Sequence, residues 1–311
     1  MNEVELIARL APTLPRNSSV VVAAGDDCAV LDLGAPEYVL FKTDAVVEGI
    51  HFTANTPPEK IGRKALARCL SDIAAMAGKP NSALVTMALP KNFDPHRIDG
   101  IYGGLNALAA EHDVAVVGGE TTTNPERLLI SIALLGTVEK TKCVLRSGAK
   151  AGDAIFVTGK LGGSIHAKHL DFEPRLKEAR WLAKNFMVHS MIDLSDGLAS
   201  DLRHILKASH FGAELLASAI PISREAKLAA RGESSAKTPL LAALTDGEDF
   251  ELLFTIASPE AVPLLDGWKK HFPDLSLACI GKIAAKPGLR LSDKNGVRTL
   301  NVHGYTHFAQ P

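Results

Sequence analysis

Along the first half of the chain, short runs rich in Val, Ile and Leu alternate with longer stretches whose apolar residues recur every three or four positions. The runs "VVVAAG", "YVLFKTDAVV", "SALVTMALP", "VAVVGG" and "LLISIALLGTV" predict strands. Between them, "PEKIGRKALARCLSDIAAMAG", ending at Gly78, and "PHRIDGIYGGLNALAAEHD", which follows the N-cap candidate Asp94, predict helices. "RSGAKAGD", Arg146 to Asp153, is rich in turn formers and fits a boundary, after which "AIFVTG" opens a second series. There, "DGLASDLRHILKASHFGAELL" predicts a helix stopped at Gly212 and then a strand, while "FELLFTI", "LACIGKI" and a hairpin at "SDKNGVRTL" add further strands. The expected fold class is α/β (α+β) in two halves of similar size, residues 1–148 and 149–311. The leading "MNEVELIARLAPTLP" has charges interrupting its apolar residues and reads as an amphipathic helix rather than a signal peptide.

Acidic residues interrupt this pattern where burial is expected. On a helical wheel with Ile61 at zero, Ala65 falls near 40°, Asp72 near 20° and Met76 near 60°, at about 100° per residue. Asp72 thus lies on the edge of the apolar stripe, either paired with Arg68 four residues earlier or facing something else. In "MIDLSDGLASDL" a strand-like run passes through Gly197 into a helix. Ser195 and Asp196 stand at its entrance, where both are good N-caps. Asp193 precedes any capping position, and Asp201 is expected on the polar side of the helix. "GDDCAV" with Asp26 and Asp27, "TDAVVEGIHF" with Asp44 and Glu48, and "VVGGETTT" with Glu120 lie in or after apolar runs. Any one of these fits an Asx-turn. Hard oxygen ligands gathered from several segments suit Mg2+, which takes one or two carboxylates per ion together with waters and phosphates.

Composition narrows the chemistry. With 46% hydrophobic and 22% charged residues the chain has an ordinary globular balance, and its formal net charge of -1 offers no field for nucleic acid or an anionic membrane. The longest strongly apolar run, "LLISIALLG", is too short to span a bilayer, so a cytoplasmic protein is expected. Cys28, Cys69, Cys143 and Cys279 are far apart without a C-x-x-C pair, which favours buried thiols over disulfides or zinc. No Walker A loop, kinase H-R-D or D-F-G set, H-E-x-x-H or G-x-S-x-G is present, and the glycines of "VTGKLGGS" do not match the first of these.

Taken in order, "GDDCAVLDL", "KTDAVVEGIHF", "CLSDIAAMAG", "VVGGETT", "RSGAKAGD", "DLSDGLASDL" and "DGEDFELLF" resemble the thiamine-monophosphate kinase family. The likeness runs from about Val21 to the closing "GYTHF". It implies the two-domain fold of the aminoimidazole-ribonucleotide synthetase superfamily, with an N-terminal mixed sheet and a C-terminal α/β domain. It also implies ATP-dependent phosphorylation of thiamine monophosphate to thiamine diphosphate, several Mg2+ ions, and a homodimer through the N-terminal domains. Carried onto this chain, the metal ligands would be Asp27, Thr43, Asp44, Asp72, Glu120, Asp193 and Asp196. Gly119, Glu120, Arg146 and Ser195 would lie at ATP, and His51, Glu248 and Tyr305 around the thiamine phosphate. Without the resemblance, Arg146 reads as a solvated linker residue and His51 as a packed histidine, while Tyr305 is equally tail packing or a ring that stacks on a heteroaromatic. No catalytic base is expected, because the acceptor is itself an ionised phosphate and transfer is direct. Three residues depart from the family pattern: Glu120 for the usual Asp, Lys42 for a small polar residue, and Ala45 for Thr. The alternatives are another ATP-using enzyme of the superfamily with a different acceptor, and a nucleotide-binding relative that has lost turnover.

Overall fold

The structure, a computed structural model, describes residues 3–166, 168–231 and 237–305. After α1 (Glu3–Leu10), the first sheet is built from β1 (Val20–Val22), β2 (Ala29–Leu31), β3 (Glu37–Val47), β4 (Lys79–Leu89), β5 (Ala115–Thr123) and β6 (Leu129–Glu139). Their spatial order is β1-β2-β3-β6-β4-β5. Neighbours are antiparallel except β4 and β5, which run parallel. The helices α2 (Pro58–Ala75) and α3 (Pro95–Glu111) join these strands. Strict alternation decides which sheet face is covered: Ala83, Val85, Met87 and Leu89 of β4 and Ile130, Ile132 and Leu134 of β6 are buried. The intervening Leu84 and Leu135 stay exposed on an open face.

Two glycines set the spacing of α2 and α3. A Cβ on Gly62 would lie 1.8 Å from the Ile101 carbonyl oxygen, and one on Gly104 would lie 1.8 Å from that of Glu59. Backbones in such contact leave no room for a methyl group. Gly62→Ala is therefore expected to cost about 3 kcal/mol through overpacking, read as a lowered urea midpoint at unchanged m-value.

The second sheet contains β7 (Ala154–Thr158), β8 (Val188–Asp193), β9 (Gly212–Leu216), β10 (Leu252–Ile256), β11 (Leu277–Ala284), β12 (Gly288–Asp293) and β13 (Gly296–Thr299). Its order is β13-β12-β9-β11-β7-β10-β8, with only β9 and β12 parallel. β7 and β10 are buried along their whole length, as continuous apolar runs predict for central strands. α5 (Leu198–Ser209) buries Leu198, Leu202, Ile205 and Leu206 in a core with β7 and β9. α4 (Leu176–Asn185) and α8 (Ala261–His271) join a larger core that continues through α2 into the first sheet. The short helices α6 (Arg224–Ala229) and α7 (Pro239–Thr245) complete the order.

Asp94 caps α3 by accepting from the His96 N–H, as expected. The stop of α5 differs from expectation: His210 ends it in the left-handed conformation (φ 62), and Gly212 instead begins β9. That glycine is required by close approach, since a Cβ there would meet the Lys286 carbonyl oxygen at 2.0 Å. The hairpin loop is Lys294-Asn295, with Gly296 opening β13 at φ 110. Of the four cysteines, Cys28 and Cys69 are buried thiols, whereas Cys143 is half-buried and Cys279 exposed.

Candidate active site

Three carboxylates from distant segments converge: Asp27 between β1 and β2, Asp72 on α2, and Asp193 at the end of β8. One oxygen of each lies within 4.8 Å of the others, and all three residues are buried. Arg146 Nη2 donates to Asp27 Oδ1 at 2.6 Å, Lys42 Nζ to Asp72 Oδ1 at 2.9 Å, and Ser71 Oγ to Asp193 Oδ2 at 2.6 Å. Asp27 Oδ2 is buried without a hydrogen-bond partner among the described residues. Burial raises the Asp72 carboxyl well above the usual carboxylate range, and burial together with the Asp27 charge pushes Asp193 up to about 6. Asp26 is also pushed up to about 6, by burial and the adjacent Asp27 charge, although its carboxylate accepts from the Arg146 backbone N–H. Buried, mutually repelling oxygens with one atom unpaired could hold a hard divalent cation.

The i, i+4 pairing of Asp72 with Arg68 is not what the fold makes. Arg68 instead holds Asp44, with Nε at 2.8 Å from Oδ2, while Asp72 takes Lys42. Lys64, Arg68 and Asp72 stand at successive i+4 positions of α2 and so form one charged stripe along an otherwise apolar helix. Lys64, absent from the expected site, is fully buried and donates to Glu248 Oε2 at 2.8 Å and to the His51 carbonyl at 2.7 Å. His169 lies 3.2 Å from the same Glu248 carboxylate. Burial raises the Glu248 pKa, but the His169 hydrogen bond and the Lys64 charge outweigh it and bring the carboxyl down to about 2. Burial, with Arg68 nearby, lowers His51 to about 4, so its ring is neutral at physiological pH, with Nδ1 accepting from the Val47 N–H.

Two acid-bearing motifs of the second half are zipped together by backbone. Glu248 N–H donates to the Ser195 carbonyl, Phe250 N–H to that of Leu194, and Leu194 N–H to that of Glu251. Glu248 and Phe250 take left-handed φ values of 61 and 49, which turn successive carboxylates to different sides. Asp249 thereby accepts from the Gly162 N–H, and Asp246 from the Gly163 N–H, in the "VTGKLGGS" loop. Glu251 binds Thr158, Lys168 and Arg175. A cavity of about 460 Å³ beside this loop is lined by none of the residues expected at the site.

The entrance of α5 also differs from expectation. Asp201 is buried, not on a polar side, and its Oδ2 accepts from the Asp196 and Gly197 N–H groups at 3.1 and 3.0 Å. Gly197 is the N-cap residue, so neither Ser195 nor Asp196 occupies the N-cap position. Asp196 lies instead beside Asp201 and His204, with ligand atoms within 4.8 Å of one another. Its carbonyl accepts from the N–H of Tyr305. Asp201→Ala is expected to cost about 1–2 kcal/mol as a lost cap, measured by thermal unfolding.

Thr43 and Glu120 do not join the buried trio. Thr43 is exposed, 3.3 Å from Ser131 Oγ, because it alternates with Lys42 and Asp44, which face α2. Glu120 pairs in register with Thr86, between the buried Val85 and Met87, and so stands on the open sheet face. At Gly119 a Cβ would lie 1.8 Å from the Val85 carbonyl oxygen, so the strands approach closely there. The closing "GYTHF" is described only through Tyr305, and its last three residues lie outside the described residues.

Residues 25–138 match the family model described as AIR synthase related protein, N-terminal domain, and residues 150–294 match the corresponding C-terminal domain. A thiamine-monophosphate kinase of Rhodopirellula baltica is 41% identical over 278 residues, covering 87% of this chain and 85% of that protein. The chain belongs to the thiamine-monophosphate kinase family. A thiamine-monophosphate kinase of Bacillus subtilis is 32% identical, with 99% of this chain and 100% of that protein covered. Among solved structures, AaThiL complexed with AMPPCP and TMP superposes with a TM-score of 0.83 at 28% identity, covering 99% of this chain and 97% of that one. No helix among the described residues is long and apolar enough to cross a membrane.

Proposed function

We propose that this chain uses ATP to phosphorylate thiamine monophosphate, giving thiamine diphosphate by direct in-line transfer. The observation that carries the reading is the buried trio of Asp27, Asp72 and Asp193, in a chain whose relatives are named for this reaction. The likeness to a solved complex holding AMPPCP and TMP supports ATP and thiamine monophosphate as the two substrates. Asp27, Asp72 and Asp193 would hold Mg2+, and the further ligands of this reading are Asp44, which pairs with Arg68, and Asp196, which lies beside Asp201 and His204. Bound there, Mg2+ supplies charge neutralisation that lets two polyanions approach.

The chain's own residues do the rest. Arg146, already aimed at Asp27, is placed to pair with nucleotide phosphate, and Ser195 and Gly119 lie on the ATP side of this reading. His51, Glu248 and Tyr305 belong to the acceptor side, with His51 neutral and Glu248 ionised. The acceptor phosphate, with a second pKa near about 6, is mostly ionised at neutral pH, so no side chain has to remove a proton. Thr43 and Glu120 stand on the open sheet face, apart from these carboxylates, and this reading does not count them among the ligands.

We read the chain as two domains, 1–148 and 149–311, a division supported by the two family matches on either side of it. Phe41, Leu84 and Leu135 leave an exposed apolar patch on the first sheet, which supports a homodimer through that face. Leu135→Glu should then shift the protein to monomer in sedimentation. ATP use supports a cytoplasmic location.

The deciding assay follows thiamine diphosphate directly with ATP, Mg2+ and thiamine monophosphate. Turnover with another acceptor alone would point to a different superfamily activity. ATP binding without turnover, restored by Glu120→Asp, would mark an impaired relative.

A further inference from the structure

Lys42 reaches the carboxylate trio from the sheet. Along β3 it shares the helix-facing side with the buried Leu40 and Val46, a row where a charge is costly unless paired. Its ammonium sits 2.9 Å from Asp72 Oδ1, and the side chain is only 23% exposed. Asp27, Asp72 and Asp193 bring three buried carboxyl groups to this place. Arg146 pairs with Asp27 and Lys42 with Asp72, while Asp193 has the neutral Ser71. An Asp72 oxygen that accepts from Lys42 is screened from a metal ion, whereas Asp27 Oδ2 has no partner among the described residues.

We propose that Lys42 stands in for one divalent ion at this cluster, neutralising Asp72 from within the chain. The protein then gathers one ion fewer than the same carboxylates would beside a neutral residue at position 42. This inference rests on the reading of the trio as a metal centre.

The test titrates the metal-free protein with Mn2+, without nucleotide or thiamine monophosphate, reading free Mn2+ by electron paramagnetic resonance. Wild type is compared with Lys42→Ser, with Lys42→Met, which keeps the side-chain bulk, and with Asp193→Asn. The expected result is one more Mn2+ per chain in both Lys42 variants, a larger rise in their thermal midpoint on adding Mg2+, and weakened binding in Asp193→Asn. An unchanged ion count in the Lys42 variants, with Asp193→Asn still weakened, overturns the role of Lys42 and leaves the metal centre standing. No Mn2+ bound by any of the proteins overturns the metal centre and this inference together.

Discussion

Asp193→Asn is expected to lower thiamine diphosphate formation on the order of a thousandfold, the scale of losing one preorganised electrostatic partner of a transition state. The substitution keeps the shape of the side chain and leaves an oxygen for the Ser71 hydroxyl, now 2.6 Å away. Stability should move the other way. The Asp193 carboxyl sits at about 6 in the fold, because burial and the Asp27 charge disfavour its ionised form. An ordinary aspartate in the unfolded chain titrates near about 4. The folded state therefore binds the proton more tightly, and this contribution is fully present below about pH 4 and is lost as pH rises through about 6. Metal-free wild type should lose stability across that window, the Asn variant should lose less, and Mg2+ should restore the wild type. Thermal melts of both proteins at several pH values, with and without Mg2+, measure the effect. A variant that is both inactive and destabilised at pH 7 would contradict it.

Glu248→Gln is expected to cost about 3–5 kcal/mol, because it leaves a buried ammonium without its counter-charge. Lys64 has no exposed surface, and its partners are the Glu248 carboxylate, the His51 carbonyl and His169. The double variant Lys64→Met, Glu248→Gln removes both charges and should recover part of the loss, which a double-mutant cycle in urea would show. The carboxyl of Glu248 is depressed to about 2, so its contribution is present above the ordinary glutamate range and is lost as pH falls from about 4.5 toward 2. Additive costs of the two single changes would mean that the pair is not coupled.

Much of the fold was legible in residue pattern. β3, β4, β5 and β6 and the helices α2 and α3 follow from apolar rhythm and from the cap at Asp94. β2, α4, α6, α7 and α8 were not read. β2 has three residues, too few for a period, and α4 interleaves Lys177, Glu178, Arg180 and Lys184 with its apolar residues over only ten positions. The carboxylates were visible one by one as acids in apolar surroundings, and the fold adds that Asp27, Asp72 and Asp193 meet. The roles of Lys42 and Lys64 were hidden because each depends on a residue far away in sequence, at Asp72 and Glu248. The 64, 68, 72 spacing on α2 was a usable signal for Lys64. Asp201 was misplaced because a helical wheel ignores the end of the helix, where a carboxylate can turn back to unpaired N–H groups.

The central claim is that the trio holds divalent cation for transfer between two phosphates. Its most direct test is anomalous diffraction from a crystal of this protein grown with Mn2+, AMPPCP and thiamine monophosphate. The account predicts manganese bound by Asp27 and Asp193, with the two phosphate chains meeting beside it. Manganese found only elsewhere, with these carboxylates still pairing solely with Arg146, Lys42 and Ser71, would contradict it.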